Sequence, residues 1–202
     1  DQIHAGGATL FGFESGLAGA EGWASGASST PAWSEHTGPT PSSGTGPAAA
    51  HGGTGYLYTE TSDPRGPGDT FGLTYDGRAC TGQASLVTFW YSMHGGADPQ
   101  SPGGMGTLRL RSTDANGVSV ERWNKTGDQG AAWQQATVTL MTAAFAFEVS
   151  MPETPSYTSD AAVDDVSVTC TIPCAFADEP TWAPPAPNAA RAAPPRVGPP
   201  VG

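Results

Sequence analysis

The chain of 202 residues carries 19 acidic against 8 basic side chains, a net charge of −11, with 28 glycines and 19 prolines. That acidity excludes a nucleic-acid backbone as partner, and so much glycine and proline excludes a mainly helical fold. No apolar run reaches the roughly 18 residues of a membrane-spanning helix, so no direct membrane insertion of this segment is expected. A start at Asp1, without Met or signal peptide, is what a mature or excised piece would give.

Residues 1–8 read as an N-terminal extension, and TLFGFE (9–14) alternates enough to form a first strand. A Gly/Ser/Thr/Pro stretch then runs from Ser15 to about Thr54, and Trp23 and Trp33 within it predict attachment to a core. GYLYTET (55–61) follows as a strand with Tyr56 and Tyr58 alternating. SLVTFWYSM (85–93) places Val87, Phe89, Tyr91 and Met93 on one face. TLRLRS (107–112) turns Leu108 and Leu110 inward and Arg109 and Arg111 outward. GVSVERW (117–123), ATVTLM (136–141) and FAFEVSM (145–151) repeat the period, the last with Phe145, Phe147, Val149 and Met151 together. AAVDDVSVTC (161–170) closes the set. Eight or more short strands, turn signals between them and no amphipathic helix predict an all-β protein, a jelly-roll sandwich of two antiparallel sheets. Residues 171–202 are Pro/Ala-rich without periodicity and read as a linker or disordered tail.

The last strand holds a puzzle. Asp164 and Asp165 are adjacent, so strict alternation sends them to opposite faces. One then shares a face with Val166 and Val168 and is aimed toward the core. A bare charge there costs several kcal/mol. Either a cation or backbone N–H groups from a nearby loop must meet it.

Three cysteines, Cys80, Cys170 and Cys174, imply one disulfide and one odd thiol, and their spacing excludes a four-cysteine zinc site. His4, His36, His51 and His94 are scattered among small residues and read as solvated loop positions.

Six blocks occur in order: WSEHTGPTPSSGTGP (33–47), GYLY (55–58), FWYSMHG (89–95), MGTLRLR (105–111), GDQGAAWQQATVTL (127–140) and YTSDAAVDDVSVTC (157–170). Together they resemble the signature of the MAM domain, named for meprin, neuropilin and receptor protein tyrosine phosphatase mu, across residues 9–170. The resemblance implies a non-catalytic adhesion and recognition module, extracellular or at the cell surface. Such a module would bind a protein or glycan partner within a larger, membrane-associated protein. It also implies a disulfide between Cys80 and Cys170, with Cys80–Cys174 as the competing pairing. The family's N-terminal cysteine pair is missing, since Leu10 and Phe11 stand there. Glu14, Asp164 and Asp165 fall at positions where related jelly rolls gather carboxylates around a structural Ca2+ ion. The loop AAAHGG (48–53) lacks the acidic residue common in the family.

Asn124-Lys125-Thr126 is a glycosylation sequon. Glu148 alternates outward and reads as a solvated strand residue. No G-x-S-x-G, HExxH or Walker pattern appears, so no enzyme is expected. Trp23, Trp33, Trp90, Trp123 and Trp133 are read as core or loop packing, with stacking on sugar rings as the alternative. Trp182 lies in the tail. A carbohydrate-binding module attached to a polysaccharide-active enzyme is therefore the second functional reading.

Overall fold

Apolar residues at every second position give the central strands one dry face, and two such faces close on one another. The computed structural model describes residues 2–5, 7–26, 31–80, 84–95, 104–114 and 116–171. Cys174, Trp182 and the Pro/Ala-rich tail beyond 171 lie outside the described residues. Among the described residues twelve strands follow one another: β1 (Gln2–Ala5), β2 (Ala8–Phe11), β3 (Trp23–Ser25), β4 (Ser34–Thr37), β5 (Gly55–Tyr58), β6 (Thr70–Tyr75), β7 (Ala84–Met93), β8 (Thr107–Thr113), β9 (Ser119–Thr126), β10 (Gly130–Leu140), β11 (Phe145–Ser150) and β12 (Ala161–Thr171). The architecture is all-β, with every pairing antiparallel. One sheet runs β3-β6-β11-β8-β9.

The other sheet has seven strands and is organised by β12. Along one side of β12 lies β7, with β10 beyond it. On the other side β12 changes partner. Its first residues pair with β5 (Ala162 with Tyr58, Val163 with Leu57), and its later ones with β2 (Val166 with Phe11 through Thr169 with Ala8). The β1–β2 hairpin and the β4–β5 pair thus occupy successive lengths of the same edge.

The core lies between the sheets. Phe11, Leu57, Val87, Phe89, Val163 and Val166 meet Phe71, Leu73, Leu108, Leu110 and Phe147, all fully buried. Each contributes about 1.5–3 kcal/mol by leaving water. Trp23 stands edge-on to Phe11, Phe13 and Phe145, closing the core as expected of it. Trp33 is likewise buried, and Trp123 packs against Phe89 and Tyr91 from the margin.

Three details depart from the sequence expectation. The first strand stops at Phe11 instead of reaching Glu14, because Phe13 takes a φ of 53° and turns the chain away. β3, β4 and β6 are strands beyond the eight located in the sequence, and Gln2–Ala5 forms a strand within the segment read as an extension. β10 starts at Gly130, six residues earlier than its apolar alternation, because its first half pairs without burying a face.

Cys80, in a short 3-10 turn (Arg78–Cys80), is bonded to Cys170 near the end of β12, with 5.2 Å between their Cα atoms. The bond joins positions 90 residues apart. Loop-closure entropy makes such a link worth about 4–5 kcal/mol. Non-reducing peptide mapping should return the Cys80–Cys170 pair, and reduction should move the denaturant midpoint down by the corresponding amount.

Candidate functional site

A break in alternation solves the puzzle of the paired aspartates. Ala161, Val163, Val166 and Val168 all enter the core, yet Val163 and Val166 are three residues apart. The extra residue is taken up by a bulge in the β12–β7 register between Asp164 and Ser167. Asp165 carries it, with a φ of 46°. The bulge keeps both valines inward and turns Asp164 outward, with Ala162, against the loop before β5. The expectation that an aspartate shares the valines' face is therefore corrected. It assumed an unbroken strand.

Asp164 is fully buried all the same, because residues 48–54 cover it. Its Oδ2 accepts the backbone N–H groups of His51 (2.8 Å) and Gly52 (3.2 Å). Its Oδ1 accepts that of Asp165 (2.7 Å). Asp165 reaches the same loop from the other side: its Oδ2 lies 2.6 Å from His51 Nδ1. Glu14, just past the turn that ends β2, takes the N–H of Thr54 on both oxygens (3.1 and 2.9 Å) and its hydroxyl on Oε2 (2.8 Å).

Glycine at 52 and 53 is required for this convergence. A Cβ at Gly52 would run into the Asp165 carboxylate, and one at Gly53, where φ is 59°, into that of Glu14. The three candidate residues are thus brought to one corner, at the point where β12 exchanges β5 for β2.

Electrostatics divide them. Burial, and then the charge of Asp165, pushes the Asp164 carboxyl up to about 7 despite its three N–H donors. Glu14 is held below the usual carboxylate range by the Thr54 N–H. A Ca2+ ion would need about six to eight oxygen ligands. Each carboxylate here already accepts a bond from the loop. Among the described residues no group of three or more His, Cys, Asp or Glu side chains is placed to hold a metal ion. As arranged, the donor set fits N–H groups and does not fit calcium.

His51, read from sequence as a solvated loop position, is a working part of the corner. Its ring stacks on Trp90 at 3.7 Å and lies across from Trp133 at 6.2 Å. Trp90 and Trp133 stand on the outer face of the seven-stranded sheet, packed by the loop and not by the core. Trp133 donates its Nε1–H to Ala49 O (2.9 Å), and the Tyr56 hydroxyl donates to Gly38 O (2.8 Å). Residues 38–54 therefore lie across this face and bury Tyr56 and Tyr58, which alternate away from Leu57. His36 belongs to β4 and packs against both tyrosines. No local signal marked His51; the glycine pair that follows it was the available hint.

The remaining candidates lie elsewhere. Glu148 is on the outer face of the five-stranded sheet, 3.9 Å from Arg109 Nη1. Asn124 is exposed on β9, and its Nδ2 donates to Glu121 Oε1. A second buried carboxylate, Asp160, was not singled out. Its Oδ1 accepts the N–H and hydroxyl of Thr61 (3.0 and 2.7 Å), and burial pushes it up to about 7.

The family profile described as MAM domain, meprin/A5/mu, matches residues 12–175. The human MAM domain-containing glycosylphosphatidylinositol anchor protein 1 is 31% identical over 136 residues, 64% of this chain and 14% of that protein. Its chicken (Gallus gallus) counterpart is 29% identical over 116 residues, 56% of this chain and 12% of that protein. The chain therefore spans about one seventh of the length of these relatives. Among solved structures, the K1 cleaved adhesin domain of Lys-gingipain from Porphyromonas gingivalis W83 superposes with a TM-score of 0.52. It is 14% identical, with 82% of this chain and 99% of that one covered, a likeness of fold.

Asp164→Ala leaves three N–H groups without an acceptor and should cost about 3 kcal/mol in denaturant unfolding. Gly53→Ala should cost a comparable amount, since its Cβ would displace the Glu14 carboxylate and its φ of 59° is left-handed.

The pH profile follows from the same groups. Asp160 and Asp164 are raised on folding, so the stability they contribute is fully present only below the ordinary carboxylate value of 3.8 and is lost as pH rises from there through about 7. Glu14, Asp76 and Asp128 are lowered, held by Thr54, Arg78 and Gly130 respectively, so theirs is lost on acidification below the ordinary carboxylate range. The melting temperature should therefore peak near pH ~4, in the ordinary carboxylate range, and fall from there to about 7. Asp160→Asn and Asp164→Asn should each flatten the fall above it. Adding about millimolar calcium, or a chelator, should leave that profile unchanged.

Proposed function

Because the chain belongs to the MAM domain family, we propose that it is a non-catalytic recognition module of an extracellular or cell-surface protein, binding a protein or glycan partner. The observation that carries this reading is the use made of the carboxylates. Glu14, Asp164 and Asp165 are committed to holding one loop, and Glu148 lies on the opposite sheet beside an arginine. A glycosidase pair needs two carboxyl groups facing a shared cleft. What this fold turns to solvent is recognition surface: loops, and the exposed strand β9.

The location has two supports. The relatives carry a glycosylphosphatidylinositol anchor in their name, and a disulfide suits an oxidising compartment. If a eukaryote secretes the protein, Asn124, exposed on β9, is the acceptor for an N-linked glycan.

One observation favours the second reading, a carbohydrate-binding module: Trp90, Trp133 and His51 cluster on an outer sheet face. Against it, His51 already covers Trp90, and Trp133 is tied to the loop.

Fluorescently labelled protein applied to cells should bind saturably. Pretreating the cells with protease or with endoglycosidase then separates a protein partner from a glycan. Absence of saturable binding would overturn the reading. Quenching of tryptophan fluorescence by a soluble polysaccharide, lost in Trp133→Ala, would favour the second one.

A further inference from the structure

Beyond the ends of β5 and β12, the 61–65 turn and residues 155–157 enclose an open cavity of about 410 Å³. Its wall carries Asp63 and Arg65, the hydroxyl-bearing Ser62 and Ser156, and the ring of Tyr157, which is 38% exposed. Among the described residues neither the Asp63 carboxylate nor the Arg65 guanidinium has a hydrogen-bond or ion-pair partner. Arg65 instead lies over the buried Phe71 ring, 5.9 Å from its centroid.

The turn is held in place from below. Asp160 binds the N–H and hydroxyl of Thr61. Ser62 Oγ lies 3.2 Å from Ser42 Oγ, and the Arg65 N–H donates to Ser62 O at 3.3 Å. A wall built from opposite charges that do not neutralise each other, anchored through Thr61 to the buried Asp160, is preorganised for something else.

We propose that this cavity is a subsite for one neutral pyranose unit of a glycan. The proposal rests on the glycan arm of the reading above and names its place and ligand class. A pyranose offers hydroxyl donors and acceptors on neighbouring carbons and an apolar C–H face. Asp63 accepts from one hydroxyl, Arg65 donates to the next, and the Tyr157 ring lies against the C–H face. A simple anion would be repelled by Asp63, and a cation by Arg65. An apolar side chain would leave both charges desolvated and unpaired, which is costly. The site is separate from the Trp90–Trp133 face and leaves the carboxylate corner untouched.

The test is amide chemical-shift titration of the folded protein with methyl glycosides of glucose, galactose and mannose. Saturable shifts at 61–65 and 155–157 are expected with at least one of them, at an affinity of about millimolar, as suits a single sugar. Asp63→Ala and Tyr157→Ala should each weaken that binding about tenfold, the loss expected for one buried polar or stacking partner. Arg65→Gln, which keeps a stem over Phe71, should do likewise, and Trp133→Ala should leave binding unchanged. The proposal is overturned by absence of saturable shifts with all three glycosides up to ~50 mM. It is overturned equally by shifts that persist in Asp63→Ala and Tyr157→Ala, or that arise only with methyl glucuronide or a blocked dipeptide. In each of those cases saturable cell binding would still stand on its own, so the two readings fail separately.

Discussion

The fold depends on one buried carboxylate. Asp164 has no exposure to solvent and accepts three backbone N–H groups, two of them from a loop more than a hundred residues earlier in the chain. Those N–H groups are not spent on a strand ladder, and the carboxylate is shut off from bulk solvent. Each supplies what the other lacks, which is how a polar pair survives inside a protein. The bond is also long-range, so it fixes where β5 begins relative to β12.

Its position explains its weight. Among the described residues β12 is the strand that pairs with β7, β5 and β2, and it changes from β5 to β2 where Asp165 bulges out of register. An exchange of neighbours leaves a gap in the hydrogen-bond ladder, since β2 has ended and β5 has begun. The Glu14, Asp164 and Asp165 carboxylates fill that gap with acceptors. The loop His51–Thr54 fills it with donors. Glycine at 52 and 53 leaves the room that the carboxylates occupy.

From this corner the outer face of the large sheet is sealed. Once His51 is held, its ring covers Trp90, and the preceding residues run over Tyr56 and Trp133. Trp90 and Trp133, read from the sequence as core or loop packing, form the underside of a loop. Surface chemistry is displaced to the ends and edges of the sandwich, among them the turn beside Asp63 and Arg65. The second buried carboxylate, Asp160, supports that turn as Asp164 supports the other loop.

The sequence by itself determined the strands that bury one face: Val87, Phe89, Tyr91 and Met93 in β7, Leu108 and Leu110 in β8, Phe145, Phe147 and Val149 in β11. Period-two burial is a local property, and it is written in consecutive residues. The collinear blocks likewise carried the family, and through it the Cys80–Cys170 bond. What only the tertiary structure decided was direction at the breaks. The spacing of Val163 and Val166 already violates alternation, yet nothing local says which aspartate is the extra residue. That choice was made by the loop whose N–H groups needed an acceptor. Nor could the sequence tell a carboxylate waiting for a cation from one already satisfied by backbone. The residue types are the same, and the difference lies in donors supplied from the far end of the chain.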